Sequence, residues 1–298
     1  MMLAQQNIDL SQKCSFRIGG AASWYCRPTS ITQIRSTLKW AQRRNEKIFV
    51  LGKGTNLLIS DRGWDGLIMD MTAFCSISWN MQSVYAYSGA LLHKLVTHAV
   101  IRGSGGIEQL AGIPGTVGGG VIMNAGAFSQ TISETIQYVD IVEPQQGCIR
   151  RLSRNELAFG YRDSSLRQSN ALVLGACFLL SSAEGDALKN SYREILKRRR
   201  LKQPLEFPNC GSVFKRPEGG YAGTLIERCG LKGMRIGGAM ISDKHANFII
   251  NDKHACAEDV RNLIATAQEK VYQRTGILLE PEVIFLGEFE RPLFRPAD

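Results

Sequence analysis

Residues Ile113–Phe128 read IPGTVGGGVIMNAGAF and place Gly115, Gly118, Gly119, Gly120 and Gly126 within one short stretch. Glycine takes positive φ without steric cost and lets another group approach the main chain closely. A run this dense suits a loop whose amides face an anionic ligand, phosphate above all. It suits equally a tightly turned, close-packed core segment, and composition alone does not choose. Pro114 pre-sets φ where the chain must turn, and Asn124 is placed to fix either a ligand carbonyl or the loop itself.

Five more segments carry residue types that could do chemistry. Leu51–Leu58, LGKGTNLL, ends a short apolar run in a glycine turn, with Thr55 and Asn56 as hydrogen-bonding groups. It lacks both the GxxxxGK[ST] spacing of a P-loop and the GxGxxG of a Rossmann site, and a plain turn is its alternative. In Phe159–Ser164, FGYRDS, Arg162 offers a planar fork for a carboxylate or phosphate, or else a structural ion pair with Asp163. In Pro208–Pro217, PNCGSVFKRP, small residues surround Ser212 and the cations Lys215 and Arg216 follow it. No GxSxG elbow is present, which disfavours a hydrolase nucleophile. Ser242–Phe248, SDKHANF, supplies Lys244, His245 and Asn247 as donors toward an anion, or forms a solvated turn. In Leu279–Val283, LEPEV, Glu282 opens a strand.

Elements that would hold these segments can be read from periodicity. Ile31–Arg44 has apolar residues at helical spacing, with Ser30 as its cap. Helices are also expected over 90–101, ended by Gly103, and over 188–201, 223–228 and 257–275. Strands are expected over 47–51, 67–71, 84–87, 135–142, 171–180, 247–251 and 283–286. Pro204 and Pro208 break the charged helix over 188–201 and mark a domain boundary near Leu201. The interspersed elements give an α+β or α/β class.

The chain has 298 residues, 44% hydrophobic and 8% aromatic, a normal globular composition for about two domains. No apolar run reaches the about 18 residues of a membrane helix, and residues 1–14 lack the charged and apolar regions of a secretory signal, so a cytoplasmic protein is expected. The eight cysteines form no CxxC and no zinc-like spacing with histidine. They are expected to be buried thiols, with no metal bound. A net charge of +9 and a pI near 9.2 favour anionic partners. The densest basic run, Lys197–Arg200, ends the helix expected over 188–201, where a solvated turn complementing the helix dipole is the default reading. No nucleic-acid-reading element accompanies it.

Taken together, LGKGTNLL, IPGTVGGGVIMNAGAF, YRDSSL, CGSVFKRP, AGTLIERCGLKG, RIGGAMISDKHANFIIN and LEPEV resemble, in order, the UDP-N-acetylenolpyruvoylglucosamine reductases, flavoenzymes of peptidoglycan precursor synthesis. The resemblance spans roughly Phe16 to Glu288 and points to the shorter subtype of the family, since little chain separates CGSVF from KHANF. It implies an α+β fold with a two-part FAD-binding domain of the vanillyl-alcohol-oxidase type and a C-terminal substrate domain. The matching divisions are residues 1–72 as the first FAD-binding part, with 286–298 returning to it, 73–200 as the second, and 201–285 as the substrate domain.

The activity implied is that of UDP-N-acetylmuramate dehydrogenase. NADPH reduces FAD, the flavin N5 delivers hydride to C3 of the enolpyruvyl group, and C2 is protonated. By resemblance Ser212 is the proton donor, while Arg162 and Glu282 polarise and orient the intermediate, Glu282 in its protonated form. Contacts to FAD fall to Leu51, Gly52, Lys53, Gly54, Thr55, Asn56 and Leu57 of the first glycine segment. In the longer run they fall to Ile113, Pro114, Gly115, Thr116, Gly118, Gly119, Asn124, Ala125 and Gly126, with Glu108 helping to order it. Tyr161, Lys215, Lys244, His245 and Asn247 are the substrate contacts. Cys14 and Ser15 stand where relatives more often have Asn-Thr, and Ile284 where a basic residue often follows the PEV match. The expected partner is a small UDP-sugar, with no nucleic acid or membrane, in a monomer where NADPH uses the substrate pocket in turn. A flavin oxidase of the same superfamily is disfavoured by the Ser212, Arg162 and Glu282 set, because an oxidase needs no acid for C2. A nucleic-acid binder is permitted only by the charge.

Overall fold

A computed structural model describes residues 4–144 and 147–296. By internal contacts the chain forms two compact units. The first comprises Met1–Gln5, Tyr25–Lys53 and Gly66–Arg199; the second comprises Gln6–Trp24, Gly54–Asp65 and Arg200–Asp298.

In the first unit, α1 (Ile31–Arg44) starts where the Ser30 side chain accepts from the Gln33 amide, and it ends at Asn45 in the left-handed conformation. The strand Ile48–Leu51 pairs in parallel with Leu67–Asp70 of the strand Trp64–Asp70. A five-stranded antiparallel sheet follows, in the order Ile149–Ser153, Ile136–Val142, Leu172–Leu179, Ser83–Tyr87, Ile77–Asn80. Alternation sets its faces. Val84 and Ala86 are buried while Ser83, Tyr85 and Tyr87 between them are less so. α2 (Leu92–Ile101) contributes Leu92, Leu95, Val96 and Ala99 to the core cluster that also holds Val84, Ala86 and Phe178. Each fully buried valine, leucine or phenylalanine among them stabilises by roughly 1.5–3 kcal/mol relative to exposure. The expected glycine loop contains a helix, α3 (Val117–Ile122), whose Val117 and Val121 join this core. Glycine is a poor helix former, and here tertiary packing overrides propensity. α4 (Gly185–Lys202) carries the charged segment.

In the second unit, a four-stranded antiparallel sheet runs in the order Asn209–Ser212, Phe248–Asn251, Ala239–Ile241, Arg235–Ile236. α5 (Ala222–Arg228) is short. α6 (Ala257–Thr275) buries Val260, Leu263, Ile264, Ala267 and Val271, the spacing of one apolar face. Its start is held from two sides. Cys256 and Asp259 form a capping box, and the Asp61 carboxylate accepts from the Ala257 amide at 2.8 Å. Leu57–Ile59 pairs in parallel with Ile284–Leu286. No helix among the described residues is long and apolar enough to cross a membrane. Buried thiols are found for Cys14, Cys26, Cys177 and Cys210, but Cys75 and Cys256 are exposed and Cys148 and Cys229 half-buried. Cys256 lies at the cap of α6, its amide donating to Asp259 Oδ2 at 3.1 Å.

Candidate active site

In the first unit the two glycine segments meet. A Cβ on Gly52 would stand 2.5 Å from Thr116 Oγ1, so only glycine allows this approach. Thr116 caps α3, its Oγ1 accepting from the Gly119 amide at 3.4 Å. Leu51, Gly52 and Lys53 are thereby set against the turn Ile113–Thr116, in which Pro114 is exposed. Among the described residues the amides of Gly115 and Thr116 donate no hydrogen bond, and Gly119 is exposed while Gly118 and Gly120 are buried. The run is therefore both of the things its composition allowed, a packed helix on one side and a presented backbone edge on the other. A Gly52→Ala variant is expected to lose about 1–3 kcal/mol of stability through overpacking, read by denaturant titration. Adding Thr116→Ala, which removes the clashing hydroxyl, should recover part of the loss. An unchanged midpoint in the single variant would contradict the close approach.

The same unit places Arg162. Gly160 and Asp163 exchange backbone hydrogen bonds around a two-residue turn, at 3.0 and 3.4 Å. Arg162 takes its second corner with φ 54, a left-handed conformation unusual for a non-glycine residue. Such local strain concentrates at functional sites. The guanidinium lies 5.4 Å over the exposed Tyr161 ring, and its Nη1 is 3.4 Å from where a Cβ on Gly126 would stand. Asp163 faces Arg167, at 3.9 Å. Asn124, buried and itself at φ 42, donates from Nδ2 to the Gly160 carbonyl at 2.8 Å and accepts at Oδ1 from the Ser133 amide at 3.4 Å. Of its two expected uses the structure displays the second: it ties the glycine run to the arginine turn. Ala125 follows it within this same closed segment. Ser164 adds a further tie, donating to the Ile122 carbonyl at 2.8 Å. Glu108 accepts from the Gly106 amide at 2.8 Å and so orders the turn leading into the run.

The second unit assembles Ser212, Asn247, Glu282 and the loop Gly54–Leu57. On the strand Asn209–Ser212, Asn209 pairs with Ile250 and Ser212 with Phe248, so two residues lie opposite one. This is a β-bulge, which bends a strand and re-aims a side chain. Gly211 takes φ 81 within it, the conformation glycine permits, and its amide donates to Asn209 Oδ1 at 2.8 Å. Among the described residues the Ser212 hydroxyl makes no hydrogen bond. The chain beyond is clamped. Asn247 Oδ1 accepts from the Phe214 amide at 3.0 Å while Nδ2 donates to the Phe214 carbonyl at 2.9 Å. Glu282 is fixed through its backbone, its amide donating to the Val213 carbonyl at 2.7 Å and its carbonyl accepting from Asn56 Nδ2 at 3.0 Å. Burial pushes the neighbouring Cys210 thiol well above its ordinary value.

The cationic candidates are engaged by carboxylates. Lys215 Nζ meets Glu280 at 2.5 Å and Lys244 Nζ meets Glu206 at 3.4 Å. His245 packs edge-on to Phe248, ring centroids 4.8 Å apart, and its Nδ1 accepts from the Asn247 amide at 3.2 Å. Burial lowers its pKa, so the ring is neutral near pH 7. The positions that depart from relatives are occupied by structure: Cys14 Sγ donates to the Ile18 carbonyl at 3.2 Å and Ser15 Oγ to the Asn209 carbonyl at 2.6 Å. Ile284 begins the strand that pairs with Leu57.

Residues 203–286 match the C-terminal domain of UDP-N-acetylenolpyruvoylglucosamine reductase, and residues 22–153 match an FAD binding domain. The chain is 43% identical to the UDP-N-acetylenolpyruvoylglucosamine reductase of Caldicellulosiruptor bescii, over 97% of this chain and 92% of that protein. The chain belongs to the UDP-N-acetylenolpyruvoylglucosamine reductase family. The enzyme of that name from Synechococcus sp. strain JA-3-3Ab is 44% identical over 97% of this chain and 93% of its own length. The crystal structure of the reductase from Thermus caldophilus superposes with a TM-score of 0.83 at 30% identity, covering 96% of this chain and all of that one. Membership makes the chain an FAD-dependent oxidoreductase with the expected α+β fold, an FAD-binding domain followed by the family's C-terminal domain.

One feature of the first unit escaped the sequence. In the basic run ending α4, Arg199 is half-buried rather than solvated. A basic residue at a helix C-terminus has a ready local explanation, and only the tertiary contacts of Arg199 distinguish it from Lys197 and Arg200 beside it.

Proposed function

We propose that this reductase acts on UDP-N-acetylglucosamine enolpyruvate, using NADPH through bound FAD, and yields UDP-N-acetylmuramate. When bound, FAD supplies hydride from N5 to C3 of the enolpyruvyl group. Residues 51–57 and 113–126 hold it, and the structural fit is the presented edge at Gly115 and Thr116, where donor amides suit a pyrophosphate. Ser212 donates the proton to C2. A hydroxyl is a weak acid, but an enolate is basic enough to take its proton, and general acid assistance requires a donor within hydrogen-bond reach. Arg162 and protonated Glu282 hold the substrate carboxylate and spread its growing charge. Tyr161, Lys215, Lys244 and His245 face the rest of the UDP-sugar, Lys215 and Lys244 exchanging Glu280 and Glu206 for phosphate oxygens. Asn247 serves this reading by clamping Phe214, two residues beyond the acid. The domain roles follow: residues 1–72 and 73–200 serve FAD, with 286–298 returning to the former, and 201–285 serve substrate.

The observation that carries the reading is the bulge that presents an unbonded Ser212 hydroxyl beside the backbone-anchored Glu282. The test is direct. Purified protein should carry flavin absorbance, NADPH should bleach it, and the enolpyruvyl UDP-sugar should restore it with formation of the lactyl product. Protein that cannot be reconstituted with FAD, or reduced flavin that the UDP-sugar leaves unchanged, would reject the proposal.

A further inference from the structure

In the second unit Ser212 lies between two ties to a single loop. Before it, Ser15 Oγ donates to the Asn209 carbonyl at 2.6 Å. The Ser15 amide donates to the Gly54 carbonyl at 3.1 Å, and that carbonyl stands 3.3 Å from Oγ. A hydroxyl has one proton to give, and the shorter contact to Asn209 takes it. After Ser212, the Val213 carbonyl accepts from the Glu282 amide, and the Glu282 carbonyl accepts from Asn56 Nδ2 at 3.0 Å. Asn209–Val213 is thus tied at both ends to the loop Gly54–Asn56, with the bulge and Ser212 in between. Packing stiffens the first tie. A Cβ on Gly54, which holds φ 61, would stand 2.7 Å from both Cys14 Cα and the Lys13 carbonyl oxygen. Phe16 is fully buried, and its carbonyl accepts at 3.0 Å from Asn251 Nδ2 on the strand beside the bulge. Asn209 is held from within as well, its Nδ2 donating to the Phe207 carbonyl at 2.8 Å and its Oδ1 accepting from the Gly211 amide at 2.8 Å.

A general acid works only while its oxygen stays within hydrogen-bond reach of the atom it protonates. A displacement of about 1 Å can cost about 10²-fold in rate. The Ser212 hydroxyl makes no hydrogen bond among the described residues, so its place is set by the backbone that carries it. We propose that Ser15 is a positioning residue for Ser212, its hydroxyl holding the bulged strand in register with the loop Gly54–Asn56. The proposal rests on the reductase reading for the acid role of Ser212, while the ties themselves stand apart from it. The two bonds of Ser15 can be separated by mutation. Its amide bond to Gly54 survives a change of side chain, and its hydroxyl bond to Asn209 does not. Loss of the hydroxyl should therefore leave the loop anchored and release the strand that bears the acid.

Ser15→Ala is compared with Ser15→Thr, which keeps the hydroxyl, and Ser15→Val, which has the shape of threonine without it. Three quantities are read: amide hydrogen exchange of ligand-free protein, the dissociation constant of FAD from apoprotein, and the rates of the two half-reactions by stopped-flow absorbance. In the alanine and valine variants the amides of Cys210–Val213 should exchange faster, as expected of a strand that opens locally more often, while those of Gly54–Leu57 hold. The FAD constant and the rate of flavin reduction by NADPH should stay close to wild type. Substrate reduction should slow by about 10–100-fold, the scale of a misplaced catalytic group, and Ser15→Thr should restore it. Unchanged exchange at Cys210–Val213 would overturn the proposal, as would wild-type substrate reduction in the alanine variant. So would equal rates in the valine and threonine variants. A weakened FAD constant, or both half-reactions slowed alike, would place Ser15 in flavin binding instead. If the alanine variant does not fold, Ser15→Cys, similar in size with a weak donor, takes its place under the same criteria. Wild-type flavoprotein that leaves the UDP-sugar unreduced sinks the reductase reading and the positioning role with it; an active wild type with an unimpaired alanine variant sinks only the latter.

Discussion

A Ser212→Ala variant will bleach its flavin with NADPH at close to the wild-type rate and then stall, with reduction of the UDP-sugar slowed by about 10²–10⁴-fold, the worth of general acid catalysis. The two half-reactions separate because the first transfers hydride to the cofactor and needs no acid for C2. The fold should tolerate the change. Ser212 pairs with Phe248 through its backbone, and among the described residues its hydroxyl makes no hydrogen bond that alanine would lose. Stopped-flow absorbance follows both phases in one experiment. Equal oxidation rates in variant and wild type would remove Ser212 from the acid role, and a slowed first phase would place it in NADPH binding.

The reach of the sequence can be judged residue by residue. α1 and α6 were legible to within a residue because their signals are local: Ser30 bonds the third residue after it, and the α6 face repeats at helical spacing. The bulge at Cys210–Gly211 was not legible, since it is a mismatch in register with Phe248–Asn251, some forty residues away. Ser212 could be singled out by its small neighbours, but not the reason its side chain is presented. The two asparagines make the same point differently. Asn124 and Asn247 were open to ligand roles in sequence, and their partners, Gly160 and Phe214, lie 36 and 33 residues distant. An amide side chain carries no mark of whether it bonds a ligand or a distant backbone. α3 was missed because four consecutive residues beginning with Val117 include three glycines, and intrinsic propensity argues against the helix that packing enforces.

Arg162→Lys should be the second severe variant, although the charge is retained. Substrate reduction is expected to fall by about 10²–10³-fold, comparable to removing one donor from a charge-stabilising site. Lysine offers a point charge where the planar fork can meet both carboxylate oxygens. The backbone gives an independent argument. Arg162 holds φ 54 at the corner of the Gly160–Asp163 turn, and residues kept in this region cost of order 1 kcal/mol or more. Glycine would relieve that strain, so a turn needing only its shape would be served better without a side chain. An arginine there is explained by what its side chain does. Lysine suffers the same backbone strain, so stability should be nearly unchanged while turnover collapses. Arg162→Gly should be at least as stable as wild type and still less active. Parallel thermal melts and single-turnover rates on the two variants check this. If the glycine variant melts well below wild type, the arginine serves the fold. If the lysine variant turns over normally, charge alone suffices and the bidentate role fails.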